Sequence, residues 1–265
     1  MLTQPSDNTI ALTTCELSKS FGGVHAVRKL SIEVPAGQIF GILGPNGSGK
    51  TTLFNLISGI TKADHGEIEI FGKRVTGLPP HRMAEAGLAR TFQNLRLFAG
   101  MSVLENVLTG GHRTVPTGFL AAAGHTRRHR ESEKALLQRG RELLTKVSLH
   151  DQQHQIASQL PYGAARRLEI ARALMTQPRL LLLDEPAAGM NPQEAQQLAI
   201  LIRDIIAMGI TVMVIEHNVR LMVTLCDYIV VLDHGEKIAE GTPEAIVQHP
   251  AVIEAYLGAP EAVAS

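Results

Sequence analysis

Two rhythms of apolar and polar positions alternate along the chain. In the second half, the short apolar runs Leu180–Leu183, Thr211–Ile215 and Tyr228–Leu232 alternate with the amphipathic stretches Gln193–Ile206 and Asn218–Leu225. Short continuous apolar runs read as strands buried on both faces of a parallel sheet. Alternation with helices therefore predicts an α/β core. The first half opens differently. Thr13–Leu17, Leu30–Val34 and Gln38–Leu43 read as strands, with Pro35-Ala36-Gly37 turning between the second and third. A Gly-rich loop and a helix over Lys50–Ser58 follow, then a strand over Glu67–Phe71 that turns at Gly72. Antiparallel strands in this position predict a β-layer added to the core.

The middle is polar and helical. Ser102–Gly110 reads as a helix with Ser102 as its cap and Glu105 three residues on, the capping-box pattern. Arg113–Arg130 reads as a loop rich in Gly, Ala, His and Arg, and Glu131–Val147 as a long polar helix with pairs such as Glu131–Lys134. Leu95–Met175 is thus expected to form a largely helical lobe. The first ten residues are polar and expected to fray. There is no internal repeat and no heptad run.

Composition narrows the class. The 265 residues suit one large domain or a core with a subdomain. Lys plus Arg and Asp plus Glu number 25 each, a balance that argues against non-specific nucleic-acid binding. Cys15 and Cys226 are the only cysteines, which excludes a disulfide framework and fits a reducing cytoplasm. No apolar run reaches the roughly 18–20 residues of a membrane helix. The best candidate, Leu198–Ile206, is interrupted by Arg203 and Asp204. No Lys or Arg precedes Lys19, so no secretory leader is expected, and Leu12–Cys15 is read as strand rather than as a lipid-attachment site.

Three segments carry chemistry. Gly44-Pro45-Asn46-Gly47-Ser48-Gly49-Lys50-Thr51 matches G-x-x-x-x-G-K-[ST], with an apolar strand before it and a helix after it. Glycines let such a backbone wrap a phosphate chain, and its N–H groups with the helix N-terminus bind the anion. Lys50 is placed to reach the β- and γ-phosphates and the Thr51 hydroxyl to take one Mg²⁺ position. The run Leu180–Leu183 ends in Asp184-Glu185, where Asp184 suits Mg²⁺ and Glu185 the attacking water. His217 follows the strand Thr211–Ile215, at the end of a strand where ligands bind in open α/β sheets, and is expected at the γ-phosphate.

Leu160–Leu174, LPYGAARRLEIARAL, resembles the signature motif of the ATP-binding cassette (ABC) family and the helix behind it. The family's usual form is Leu-Ser-Gly-Gly-Gln. Here Pro161 replaces Ser, Tyr162 the first Gly and Ala164 the Gln, while Leu160 and Gly163 stand. The Ser contact to phosphate is thereby lost, though backbone N–H groups around Tyr162–Ala164 can still present a helix N-terminus. The resemblance runs from about Leu12 to Gly258. Within the family it resembles the larger ATP-binding subunit of bacterial branched-chain amino-acid importers. That match is carried by Thr91-Phe92-Gln93-Asn94-Leu95-Arg96-Leu97-Phe98, the insert over 112–130, Glu185-Pro186-Ala187-Ala188-Gly189-Met190-Asn191-Pro192, Ile215-Glu216-His217-Asn218 and Ala255-Tyr256-Leu257-Gly258.

The resemblance implies an α/β P-loop NTPase with a RecA-like parallel sheet, an N-terminal antiparallel β subdomain and an inserted helical subdomain. The core would comprise residues 11–92 and 176–242, the helical subdomain 93–175 and a helical tail 243–265. ATP and Mg²⁺ are the implied cofactors. Phe21 would stack on adenine, Gly44 to Thr51 with Thr52 would hold the nucleotide, and Thr51, Gln93 and Asp184 would serve Mg²⁺. Lys50, Glu185 and His217 are the implied catalytic residues, and Gln93 the link to the membrane subunits. Asn191 stands where the family has Asp, which retains a hydrogen bond but no charge.

Implied partners are two membrane-spanning permease subunits, a second ABC ATPase subunit that is a paralogue or an identical copy, and indirectly an extracytoplasmic solute-binding protein. The chain would sit peripherally on the cytoplasmic face of the bacterial inner membrane. Amide or urea import and lipid or lipopolysaccharide export are the alternatives, and the exporters' shorter middle lobe argues against the latter. A GTPase would need an Asn-Lys-x-Asp segment, and none is present. An ABC ATPase of DNA repair or translation would need coiled coils or a second ABC unit, and neither is present. The insert, with His112, Arg113, His125, Arg127, Arg128, His129 and Arg130, is expected to be a solvated loop, with contact to lipid head groups or to the membrane subunit as the alternative.

Overall fold

Two sheets share the work of building the core. The computed structural model of the chain describes residues 9–111 and 127–257. The first sheet is antiparallel and contains β1 (Ile10–Phe21), β2 (Val24–Pro35), β4 (His65–Ile70) and β5 (Lys73–Arg74) in the order β2-β1-β4-β5. The second has six strands in the order β10-β9-β3-β8-β7-β6. These are β3 (Ile39–Leu43), β6 (Leu88–Arg90), β7 (Leu180–Asp184), β8 (Thr211–Ile215), β9 (Tyr228–Asp233) and β10 (Glu236–Gly241). All pairs in it are parallel except β9 with β10.

Period-2 alternation explains why the central strands are apolar throughout. Ile39 and Leu43 of β3, Leu181 and Leu183 of β7, and Val212 and Val214 of β8 enter one core cluster. Phe40 and Ile42, Leu180 and Leu182, and Met213 and Ile215 enter the other. The second cluster joins the six-stranded sheet to α1 (Lys50–Ile57) and to Leu12, Leu17, Val27 and Ile70 of the antiparallel layer. The first joins it to α3 (Val103–Thr109), α4 (Arg127–Lys146), α5 (Tyr162–Met175), α6 (Pro192–Ala207) and α7 (Val219–Leu225). Here α3, α4 and α5 pack on one another as a helical lobe. The remaining helices are α2 (Pro80–Glu85), α8 (Pro243–Val247) and α9 (Pro250–Leu257).

The expected capping box forms. The Ser102 side chain accepts from Glu105 N, and Glu105 accepts from Ser102 N at 2.7 Å. Two expectations need correction. β1 and β2 run twelve residues each, well beyond the apolar stretches that announced them, because their polar ends pair with each other through Phe21↔Val24. The long helix of the lobe begins at Arg127, inside the stretch read as loop. The rest of the insert, with His112, Arg113 and His125, lies outside the described residues, as do Gly258 and the polar first eight residues. Short or polar β5, β6, β10 and α2 are additions to the elements read from sequence.

No helix among the described residues is long and apolar enough to cross a membrane. Cys15 is exposed and Cys226 buried, and neither forms a disulfide. Leu182, 0% exposed in the centre of β7, is a direct probe of the core. Leu182→Ala is expected to cost about 2–5 kcal/mol, read as a lower denaturant midpoint in urea unfolding.

Candidate active site

The phosphate loop leaves β3 at Leu43 and is fixed by close backbone packing. A Cβ on Gly44 would lie 2.2 Å from Leu232 O, and one on Gly49 would lie 2.2 Å from Ala26 O. Both have positive φ, 155° and 101°, so the loop holds its path only with glycine at these points. The β9–β10 turn braces it from outside, since Gly235 N donates to Ser48 O at 3.1 Å. Gly49 is the N-cap of α1 and no side chain caps the helix, which leaves its first-turn N–H groups facing the loop. Lys50 is buried, and its Nζ donates to Gly44 O at 2.7 Å and to Pro45 O at 2.8 Å. Burial pulls its ammonium below the ordinary value, against the opposing charges of Glu185 and Asp184.

The acidic pair ends β7 as expected. Asp184 is buried, and Glu185 has a left-handed backbone with φ 45°. Glu185 N donates to Ile215 O at 2.9 Å, so the turn beyond the strand stays attached to β8. The Glu185 carboxylate accepts one side-chain hydrogen bond and has a second neighbour. Gln93 Nε2 donates to its Oε2 at 2.8 Å, and His217 Nδ1 lies 4.0 Å from its Oε1. The structure thus brings Lys50, Asp184, Glu185, Gln93 and His217 to one edge of the sheet. Phe21 stands apart at the end of β1, 51% exposed, with Lys19 Nζ 5.3 Å from its ring centroid.

Residues Leu160–Ala164 reach this cluster through one side chain. Pro161 is the N-cap of α5, where its missing N–H costs no helical bond. Arg166, one turn on, is buried. Its Nη1 donates to Phe92 O at 2.5 Å and its Nη2 donates to Gln93 O. Glu169 completes the pair, accepting from Arg166 Nη1 at 3.1 Å and from Phe92 N at 3.4 Å. Burial raises the Glu169 carboxyl, with the Arg166 charge opposing. The Tyr162 hydroxyl accepts from Arg166 Nε at 3.1 Å and Nη2 at 2.9 Å. Asn191 caps α6, accepting from Glu194 N at 3.0 Å, while its own N–H donates to Glu194 Oε2 at 3.0 Å.

Four buried charges of the site were missed in the sequence. Arg90 at the end of β6 pairs with Asp184 at 2.7 Å. Arg166 and Glu169 carry the Gln93 segment. Glu216, 1% exposed, accepts from Ala187 N at 2.8 Å and so holds the loop after Glu185. A weak signal existed: Arg166 and Glu169 are an i,i+3 pair on an otherwise apolar helix face, and Glu216 breaks the apolar run before His217.

With this geometry in view, comparisons with known proteins define the class. The family model described as ABC transporter matches residues 27–188. The chain belongs to that family and is an ATP-binding cassette with the P-loop NTPase fold. A second model, described as branched-chain amino acid ATP-binding cassette transporter, matches residues 236–262.

Particular relatives carry the same theme. The high-affinity branched-chain amino acid transport ATP-binding protein BraF of Pseudomonas aeruginosa is 44% identical over 243 residues, 91% of this chain and 95% of the relative. The LivG protein of Escherichia coli, named for the same transport, is 41% identical over the same shares. The solved ADP conformation of MJ1267, an ATP-binding cassette of an ABC transporter, has a TM-score of 0.82 at 33% identity, covering 95% of this chain and all of that one.

Burial raises the Glu216 carboxyl above its ordinary 4.5, with the Ala187 bond and His217 opposing. A raised folded-state value means that ionisation favours the unfolded chain. Stability contributed by the neutral form is complete below the ordinary value and is lost as pH rises towards the folded one. Glu216→Gln keeps an acceptor for Ala187 N and removes the titration. The variant is expected to gain stability over the unaltered chain as pH rises from acid through the ordinary carboxylate range, and thermal melts across that range check it.

Proposed function

We propose that this chain is the ATP-hydrolysing subunit of an importer for branched-chain or other hydrophobic amino acids. The observation that carries the catalytic half is the convergence of Lys50, Asp184, Glu185, Gln93 and His217 where neighbouring parallel strands end. Support for the solute class comes from the match over residues 236–262 and from the relatives' names.

In this reading the N–H groups of Gly44 to Thr51 cradle the phosphates, Lys50 turns from its loop carbonyls to the β- and γ-oxygens, and Phe21 stacks on adenine. Thr52 completes the nucleotide contacts. Thr51, Asp184 and Gln93 would hold Mg²⁺, and their oxygen donors fit a hard cation. Bound Mg²⁺ supplies charge neutralisation at the phosphates. Glu185, oriented by Gln93, polarises the attacking water, and His217 contacts the γ-phosphate.

The N-terminus of α5, with Leu160 to Ala164, serves the ATP held by a second ATPase subunit, a paralogue or a copy, in a head-to-tail dimer. ATP then favours the closed pair and hydrolysis releases it. Gln93 passes closure to two membrane-spanning subunits that receive solute from a binding protein. The chain works peripherally on the cytoplasmic face of the inner membrane. The core comprises 11–92 and 176–242, the helical subdomain 93–175 and the tail 243–265.

Glu185→Gln is expected to bind ATP and dimerise while its turnover falls roughly 10²- to 10⁴-fold. A phosphate-release assay beside light scattering checks both halves, and unimpaired turnover would remove Glu185 from its role. Lys50→Ala in native cells is expected to depress uptake of labelled leucine. Unchanged uptake, with other leucine carriers deleted and ATPase of the purified variant abolished, would overturn the solute assignment and leave the ATPase standing.

A further inference from the structure

Arg90 has no part in the reading above, yet its guanidinium touches three segments that build the site. Its side chain is 5% exposed and that of Asp184 is 3% exposed. Nη2 donates to Asp184 Oδ2 at 2.7 Å. Nη1 donates to Asn55 Oδ1 at 2.7 Å and to Ser58 Oγ at 2.8 Å. Asn55 lies on α1, the helix that Lys50 opens, and Ser58 is its C-cap. The guanidinium carbon lies 5.2 Å from the ring centroid of Phe92, the residue before Gln93. Nε is buried and has no partner.

Simple neutralisation of a buried carboxylate does not account for this arrangement. A buried ion pair gains little over a well-packed apolar pair, because desolvation offsets the attraction. The rigid fork of Arg does something different: it fixes an oxygen in direction as well as in charge. Here the fork joins Asp184 on β7 to α1, so the carboxylate and the phosphate-loop helix keep one spacing. Arg90 occupies Oδ2, and among the described residues no protein donor is bonded to Oδ1. Outer groups that orient a ligand carboxylate in this way govern how well it takes a cation.

We infer that Arg90 is a positioning residue: it holds one oxygen of Asp184 against the phosphate-loop helix and so keeps the other available to the Mg²⁺ that accompanies the nucleotide. This rests on the proposed reading of Asp184 as the cation-facing carboxylate. Arg90 itself touches neither nucleotide nor cation. Its contribution lies in geometry, and Lys, which carries the charge without the fork, does not replace it.

The test is binding of a fluorescent ATP analogue to the purified full-length chain, first in EDTA and then across a Mg²⁺ titration. Arg90→Lys and Asn55→Ala are compared with the unaltered chain and with Asp184→Asn. Arg90→Lys is expected to leave the EDTA affinity in place and to raise the Mg²⁺ midpoint roughly 10- to 100-fold. Asn55→Ala, which loosens the fork from α1, is expected to move the midpoint the same way by less. Melting curves establish that each variant is folded, and if Arg90→Lys is not, Asn55→Ala decides. Unmoved midpoints, or an equal loss of affinity with and without Mg²⁺, would overturn the role of Arg90 while Asp184→Asn still loses the Mg²⁺ response. If Asp184→Asn keeps that response, the reading of Asp184 falls, and the inference with it.

Discussion

Parallel register decides where every reactive group stands. Ile42 of β3 pairs with Ile215 of β8, and Ile215 pairs with Asp184 of β7. In that register Leu43, Glu216 and Glu185 come next at one level, and Gly44 opens the phosphate loop one residue further on. Backbone bonds continue past the strands: Glu185 N donates to Ile215 O at 2.9 Å and Glu216 N to Ile42 O at 3.4 Å. A slip of one residue in β7 would turn Leu181 and Leu183 into the wrong core and carry Asp184 to the other face. The two apolar clusters on the two sides of the sheet thus hold the chemistry in place as firmly as any contact within the site. This is why strands that are apolar through their centres can set the residues beyond them side by side at one end of the sheet.

Buried charge is the second constraint. Arg90 with Asp184, Arg166 with Glu169, and Glu216 are all removed from water. Such groups add little to stability even when paired. Each spends its remaining hydrogen bonds on the backbone or side chains of a segment that must be held. Arg166 binds the carbonyls of Phe92 and Gln93, Glu216 binds Ala187 N, and Arg90 binds Asn55 and Ser58. Apolar residues of the same volume would fill the space but would leave those loops without direction.

Legibility in the sequence followed the range of the interactions. The phosphate loop, the apolar runs of β3, β7 and β8, and the capping box at Ser102 are local patterns, and all three stand where the sequence put them. The polar ends of β1 and β2, and all of β6 and β10, exist through pairing with neighbours, so no periodicity within them announces a strand. The same division holds in the site. Lys50, Asp184, Glu185 and His217 stand at ends of readable strands or in a readable motif. Arg166 acts on a carbonyl 73 residues away, and Arg90 on a carboxylate 94 residues away. Only the fold brings those partners together, and a lone Arg in a strand or a helix carries no mark of its partner.

The segment that resembles the family's signature follows the same packing logic. Gly163, the glycine that remains, has a Cβ position 2.7 Å from Glu194 Oε1. Glu194 cannot withdraw freely, because it closes the capping box with Asn191 at the start of α6. A side chain at 163 would therefore push the loop after Glu185 away from α5, and Asn serves that box without the charge of Asp. Tyr162 meets no such limit: it is exposed, its ring lies beside Gly189, and its hydroxyl accepts two bonds from Arg166. Pro161 needs no N–H at the helix start. Tyr162 stands where the backbone leaves room, and its hydroxyl is a further support for the arginine that carries the Gln93 segment. On this geometry the segment Leu160–Ala164 keeps its helix N-terminus and is tied through Tyr162 and Arg166 to the Gln93 segment.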